Sequence, residues 1–264
     1  MDLQLKDKIA FVSGSTAGIG LAIAERLAAE GARVWLNGRT QARVDAARRH
    51  ILERAPAAKV EGVAADLSHA DGVANAVRAV PRVDILINNL GVFASQPFES
   101  ITDADWLRFF ETNVLSGIRL ARAWLPDMKA RNWGRIVFIS SESGLNIPVE
   151  MIHYGVTKTA QLAVSRGLAE SLAGTGITVN AVLPGPTASE GVQRFVGELA
   201  AERGTDAAAV ERDMFRTDRP SSLLKRFIRP EEVANLVAYV ASPLSSATTG
   251  AALRVDGGVV RAIA

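Results

Sequence analysis

The chain has 264 residues, 48% hydrophobic and 22% charged, a balance that suits a globular protein and excludes a disordered or fibrous one. Thirty basic against 28 acidic side chains leave a formal charge of +2, too even for a nucleic-acid-binding surface, and the absence of cysteine removes disulfides, thiolate metal sites and a cysteine nucleophile. No apolar run has the length of a membrane span and no signal-peptide pattern opens the chain, so the cytoplasm is the expected location, with no membrane, nucleic acid or metal as partner.

Short β-branched runs alternate with helix-length segments: KIAFVS, ARVWLN, AKVEGVAA, VDILINN, GRIVFIS, GITVNAV and AALRVDG. Several of these runs are apolar on both faces, as strands of a parallel sheet covered by helices must be. The rhythm predicts an α/β fold, a single-domain Rossmann-like doubly wound parallel sheet of about seven strands with helices on both faces. The domain is expected to span 1–264. Its rhythm is broken at about 188–227, where two polar helical patterns without a strand predict an insertion over the sheet.

At the first strand-to-helix junction stands SGSTAGIG, with Gly14, Gly18 and Gly20 running into LAIAERLAAEG. Gly14 permits a tight turn, Gly18 a close approach of backbone to a pyrophosphate, and Gly20 close helix packing, while the helix N-terminus faces the anion. The second strand closes with VWLNGRT. Gly38 occupies the place where an NAD-preferring site carries Asp or Glu, and Arg39 offers a planar fork of donors matched to a phosphate, with Thr40 adding a hydroxyl. NADP(H) is therefore expected in preference to NAD(H), which remains possible. Ala17, where a second basic residue would strengthen this reading, leaves Arg39 alone. In AADL, Asp66 is placed either to accept a hydrogen bond from an adenine amino group or to cap a helix.

Further along, HYGVTK sets Tyr154 and Lys158 four residues apart, on one face of a helix. There the ammonium is expected to stabilise phenolate and lower a pKa that is ordinarily about 10. The tyrosine would then move protons near neutral pH. Two helical segments, DADWLRFFETNVLSGIRLARAWLPDM and YGVTKTAQLAVSRGLAESLA, carry apolar residues on more than one stripe and predict a homo-oligomer, a tetramer. Val92, Phe93, Leu145, Met151 and the segment after Thr187 are expected to line a mainly apolar pocket, with His153 in its wall or at the surface.

Taken together these motifs resemble the short-chain dehydrogenase/reductase family, including its 3-oxoacyl-ACP-reductase-like members, from about Lys6 to Gly258. SGSTAGIG is similar to the family's TGxxxGIG loop, Asn88 to Gly91 to its NNAG, and ISSESG to its serine segment. Ser141 stands thirteen residues before Tyr154, the family's spacing, whereas Ser140 and Ser143 do not. The resemblance implies hydride transfer between a nicotinamide and a small-molecule carbonyl or alcohol, with Tyr154 as general acid or base and Ser141 as donor to the reacting oxygen. Lys158 would hold the ribose, and Asn113 a water linking Lys158 to solvent. It further implies cofactor contacts from Gly14, Ser15, Thr16, Gly18, Ile19, Gly20, Arg39, Asp66, Leu67, Asn89, Gly91, Tyr154, Lys158, Pro184, Gly185 and Thr187. Two departures stand out: Ser13 replaces a threonine and Leu90 an alanine, the latter expected to tighten the nicotinamide side of the pocket. A methyltransferase using S-adenosylmethionine would share the glycine loop but not the ordered Ser141, Tyr154 and Lys158. A nucleotide sensor would keep the fold and show no turnover.

Overall fold

The computed structural model describes residues 1–263. Its strands are β1 (Ile9–Val12), β2 (Arg33–Gly38), β3 (Lys59–Ala64), β4 (Ile85–Asn88), β5 (Gly134–Ile139), β6 (Ile177–Pro184) and β7 (Ala252–Val255). They form one sheet in the order β3-β2-β1-β4-β5-β6-β7. Every pairing is parallel, and Val12 at the end of β1 stands opposite Leu36 on one side and Ile87 on the other. β4, β5 and β6 are buried along their whole length, which accounts for their unbroken apolar runs.

The helices are α1 (Gly18–Ala29), α2 (Gln41–Arg54), α3 (Ala70–Ala79), α4 (Asp103–Phe110), α5 (Ser116–Ala130), α6 (Ile152–Glu170), α7 (Glu190–Glu202), α8 (Ala207–Thr217) and α9 (Pro230–Val240). Alternate residues of each strand serve opposite layers. Ala10, Val12, Ile85 and Ile87 pack with Ile23 and Leu27 of α1 and Val233 and Val237 of α9. Phe11, Leu86, Ile136 and Phe138 face the other way, onto Leu120 and Trp124 of α5. Each Val, Leu, Ile or Phe side chain so taken from water contributes about 1.5–3 kcal/mol. Between α4 and α5 the helix widens into a π turn, Glu111–Leu115, which carries Asn113.

The order of strands reverses between β1 and β4, and the crevice at their C-terminal ends is where doubly wound sheets hold ligands. Over it lies the segment after β6. It leaves and returns at one step, where Thr187 bridges Ile228 in parallel; Ile228 N–H donates to the Pro186 carbonyl and Ala188 N–H to the Ile228 carbonyl, both at 2.8 Å. Within this segment Val196 and Ala200 of α7 pack on Val210 of α8 to form a small core of their own.

Candidate active site

The glycine loop is built for close approach. Gly14 and Gly18 have φ of 60° and 55°, which side-chain-bearing residues rarely adopt. A Cβ at Gly20 would sit 2.5 Å from the Gly14 carbonyl oxygen, and one at Gly18 would sit 3.1 Å from Ser189 Cβ. Thr40, Thr102, Ser189 and Asp206 cap α2, α4, α7 and α8 through their side chains, but the capping residue of α1 is Ala17, which has no acceptor to offer. The first N–H groups of α1 thus keep their donors for an anion, and this cradle fits a dinucleotide pyrophosphate.

Several residues expected to meet the cofactor also brace the loop. Ser15 Oγ donates to the Val12 carbonyl at 2.7 Å and accepts from Asn37 N–H at 2.9 Å, while Ser15 N–H donates to the Asn37 carbonyl at 2.9 Å. Asn37, which the sequence did not single out, accepts from Gly14 N–H at 3.1 Å and donates to the carbonyls of Val63 and Ala65 at 3.3 and 3.1 Å. It ties the loop to β3. Asn89 donates through its amide to the carbonyls of Ser13 and Gly14, both at 3.0 Å, and Ser13 Oγ accepts from the N–H groups of Asn89 and Leu90 at 2.9 and 3.0 Å. Leu90 corrects an expectation: it packs on Gly14 and in the hydrophobic layer around Trp124, not on the cavity.

At the end of β2, Gly38 is buried and Arg39 exposed. A Cβ at Gly38 would lie 2.5 Å from Thr16 Cγ2, so a carboxylate could enter here only if Thr16 moved. Asp66 is exposed and bends back on itself, its Oδ1 accepting from Ser68 N–H at 3.1 Å and Ser68 Oγ at 2.6 Å; these bonds hold its carboxyl below the usual value. The turn thus uses one oxygen of the side chain in the capping manner. Leu67 is 1% exposed, its side chain part of the core.

Beyond β5 and along α6 lie the groups with chemistry. Tyr154, Ser141 and Lys158 all line one cavity of about 380 Å³, together with Ile19, Asn89, Gly91, Pro184, Gly185 and Thr187. The N–H of Ser143 donates to Ser141 Oγ at 3.1 Å, and Ser140 Oγ to the Lys158 carbonyl at 2.8 Å, which pins the turn after β5 to α6. Thr187 Oγ1 donates to the Gly185 carbonyl at 2.8 Å, so its hydroxyl is held against the end of β6.

The expected electrostatics of the pair are corrected by burial. Desolvation pushes the Tyr154 phenol up to about 12; the nearby Ser141 hydroxyl opposes this, and Glu142 adds to it. Desolvation likewise pushes Lys158 down to about 7. The lysine turns toward the strand, donating to the Ile139 carbonyl at 2.9 Å and to Gln161 Oε1 at 3.3 Å, with Nζ 5.5 Å from the tyrosine ring centroid. Four residues of helix bring the groups together, but the low-dielectric surroundings decide their proton affinities. The side chain of Asn113 is fully engaged within the chain. Its Oδ1 accepts from Val92 N–H at 2.8 Å, and its Nδ2 donates to the Val92 carbonyl at 3.0 Å and Thr157 Oγ1 at 2.9 Å. It clamps the loop after β4 to α6.

Of the expected pocket residues, Phe93 and Met151 line the cavity, joined by Val192, Phe195 and Val196 of α7. Leu145 is half exposed away from it, and Val92 is used by Asn113. His153 is neither wall nor surface: it is 0% exposed, its ring 4.0 Å from that of Phe109, between α4 and α6. Two charged residues that the sequence does not single out also line the cavity, Glu142 and Arg219. Arg219, just past α8, donates to Glu142 Oε1 at 3.2 Å, and burial pushes the Glu142 carboxyl up. This pair fastens the segment over the sheet to the residue next to Ser141. The adjacency of Glu142 to the serine was the signal available in the sequence.

Among the described residues, no helix is long and apolar enough to cross a membrane. A family model described as enoyl-(acyl carrier protein) reductase matches residues 14–260. The chain is 44% identical to the uncharacterized oxidoreductase YvaG of Bacillus subtilis over 100% of both sequences. It is 33% identical to the 3-oxoacyl-(acyl-carrier-protein) reductase FabG of Aquifex aeolicus over 98% of this chain and 100% of that one. Among solved structures, L-sorbose reductase from Gluconobacter frateurii, complexed with NADPH and L-sorbose, is 32% identical and covers 100% of both chains with a TM-score of 0.94.

Proposed function

The chain belongs to the short-chain dehydrogenase/reductase family, oxidoreductases acting on carbonyl and alcohol groups, and we propose that it is an NADP(H)-dependent member whose proton donor is Tyr154. The observation that carries this reading is the meeting of Ser141, Tyr154 and Lys158 on one cavity beside a glycine loop and an uncapped helix N-terminus. The first N–H groups of α1 would hold the pyrophosphate, and Lys158 the nicotinamide ribose. When bound, the cofactor supplies the hydride.

Tyr154 does the proton transfer in this reading. A phenol raised to about 12 stays protonated at neutral pH, which suits an acid that gives its proton to a carbonyl oxygen as negative charge develops there. Ser141 steadies that oxygen through its hydroxyl, and the Lys158 ammonium favours the phenolate left behind. The apolar flank from Phe93, Met151 and Phe195 suits a small carbonyl or alcohol. We read the chain as one domain, 1–264, in which the 188–227 segment faces the substrate.

The preference for NADP(H) is supported by Arg39, exposed at the end of β2, by the absence of a carboxylate at Gly38, and by the NADPH complex of L-sorbose reductase. The test is to follow NADPH and NADH consumption across a panel of ketones and aldehydes. Wild type is expected to show the higher kcat/KM with NADPH, and Arg39→Ala to lose about 1–3 kcal/mol of that preference, the range of one charge-assisted hydrogen bond. A wild type that prefers NADH would overturn the cofactor assignment. Cofactor binding without turnover across the whole panel would favour the sensor.

We also propose a homotetramer assembled through α4, α5 and α6. Most of the apolar stripes there are used inside the chain, by Phe109, Leu120 and Trp124, but Leu107, Phe110 and Val156 stay 67%, 40% and 40% exposed. Light scattering is expected to give about four times the 28.0 kDa of one chain. A mass of one chain at micromolar concentration would sink the proposal.

A further inference from the structure

We propose that Gln161 is a positioning residue of this reaction, its carboxamide fixing the Lys158 side chain to the backbone of the π turn that carries Asn113. Gln161 stands three residues beyond Lys158 on α6 and is 2% exposed. Its Oε1 accepts from Lys158 Nζ at 3.3 Å, and its Nε2 donates to the Asn113 carbonyl at 2.5 Å. Chemistry dictates this orientation of the amide. An ammonium only donates and a carbonyl only accepts, so turning the amide over would oppose donor to donor and acceptor to acceptor.

The consequence falls on Lys158. An ammonium has three N–H donors. Two are held by fixed acceptors, the Ile139 carbonyl of β5 and Gln161 Oε1, and this leaves one for the cavity that Lys158 lines. Gly91 closes the other side, where an added Cβ would lie 3.5 Å from both Lys158 Nζ and Asn113 Oδ1. The resemblance to the family assigns the interval between Lys158 and Asn113 to a water; here a covalently attached amide spans it. A carboxamide orients and stabilises a charge, but it is a poor proton carrier, so Gln161 holds the lysine in place and helps keep it charged.

The charge matters because burial takes Lys158 down to about 7. The titratable or charged side chains lining the cavity with it are Tyr154 of α6, Glu142 after β5 and Arg219 after α8. Tyr154 lies far above neutrality, and Glu142 is paired with Arg219. On the π turn, Glu111 is paired with Arg119. Losing an uncharged acceptor therefore lowers the lysine pKa further, and the loss of charge with rising pH begins earlier.

The experiment measures NADPH affinity, by fluorescence titration, and kcat between about pH 6 and pH 9, a span around the depressed lysine value. It uses wild type, Gln161→Leu, Gln161→Met and Gln161→Glu, each checked for folding by circular dichroism. In the Leu and Met variants the pH at which affinity and kcat fall is expected to move down by about one unit, the size of one lost hydrogen bond to a charged group, with values converging on wild type at the acid end. The Glu variant, which puts a carboxylate beside the ammonium, is expected to move it up. If the Leu and Met variants lose affinity and kcat by one factor at every pH, or keep the wild-type profile, the inference is overturned. The turnover arm rests on the proposed hydride transfer. Should wild type bind NADPH and turn over no carbonyl, that reading fails while the affinity profile still decides the role of Gln161.

Discussion

Tyr154→Phe is expected to lower kcat about 10²–10⁴-fold, the range contributed by a positioned general acid, while NADPH affinity changes little. The substitution removes one oxygen and leaves the ring where it is, edge-on to Phe93 with centroids 6.4 Å apart. It also leaves Lys158 on its two acceptors at Ile139 and Gln161, because neither bond involves the phenol. A loss confined to kcat therefore reports the missing proton. Paired NADPH fluorescence titrations and turnover with the best ketone of the panel would show this, and a Phe variant turning over near the wild-type rate would remove Tyr154 from the mechanism.

Lys158→Met is expected to abolish turnover and to make the folded chain more stable. The amine is depressed from 10.5 to about 7 in the folded state, so between those values the unfolded chain binds more protons. Stability must then rise with pH across that window, and at neutral pH the burial of this group costs on the order of 4 kcal/mol. Methionine has a similar length and no charge, but it leaves the Ile139 carbonyl and Gln161 without their donor, which returns about 1–3 kcal/mol. The net expected gain is about 1–3 kcal/mol, or several degrees in Tm. The advantage should be largest below pH 7 and fade as pH approaches the free lysine value. Thermal melts at a series of pH values check it. A variant less stable than wild type on the acid side would show that Lys158 is better solvated than its surroundings suggest. A functional group that destabilises its own fold is a familiar trade-off.

What could be read from the sequence follows the range of the interactions involved. Strands β4 to β6 announce themselves as apolar runs, and the glycine loop and the Tyr154 to Lys158 spacing are local patterns, legible within a dozen residues. The surroundings of those residues are not local. Asn37 reads as an ordinary polar residue in a strand until the parallel register brings it beside Gly14 and Ala65. Gln161 reads as helix surface until the π turn arrives against it from residue 113. The direction of the Tyr154 shift was misjudged for the same reason, since spacing along a helix gives the distance to a lysine but not the polarity of the space around both. His153 was misplaced because its burial depends on Phe109 and Trp106, which come from α4.

The single step at which Thr187 meets Ile228 separates two kinds of change that the chain can tolerate. The segment has its own small core, and besides that bridge it is held just past β7, where the N–H groups of Leu223 and Leu224 donate to the Gly257 carbonyl at 2.8 and 3.2 Å, so α7 and α8 can vary in length and composition without disturbing the register of β6 and β7. The residues proposed to move the proton lie outside it, just past β5 and on α6. Beside the chemistry, Arg219 ties the two together through Glu142 at 3.2 Å and Glu150 at 3.6 Å. In evolutionary terms the part proposed to face the substrate is a replaceable cassette. A chimera that exchanges residues 188–227 for the matching segment of a relative, with the arginine kept, should inherit the donor's substrate range and retain its own cofactor preference.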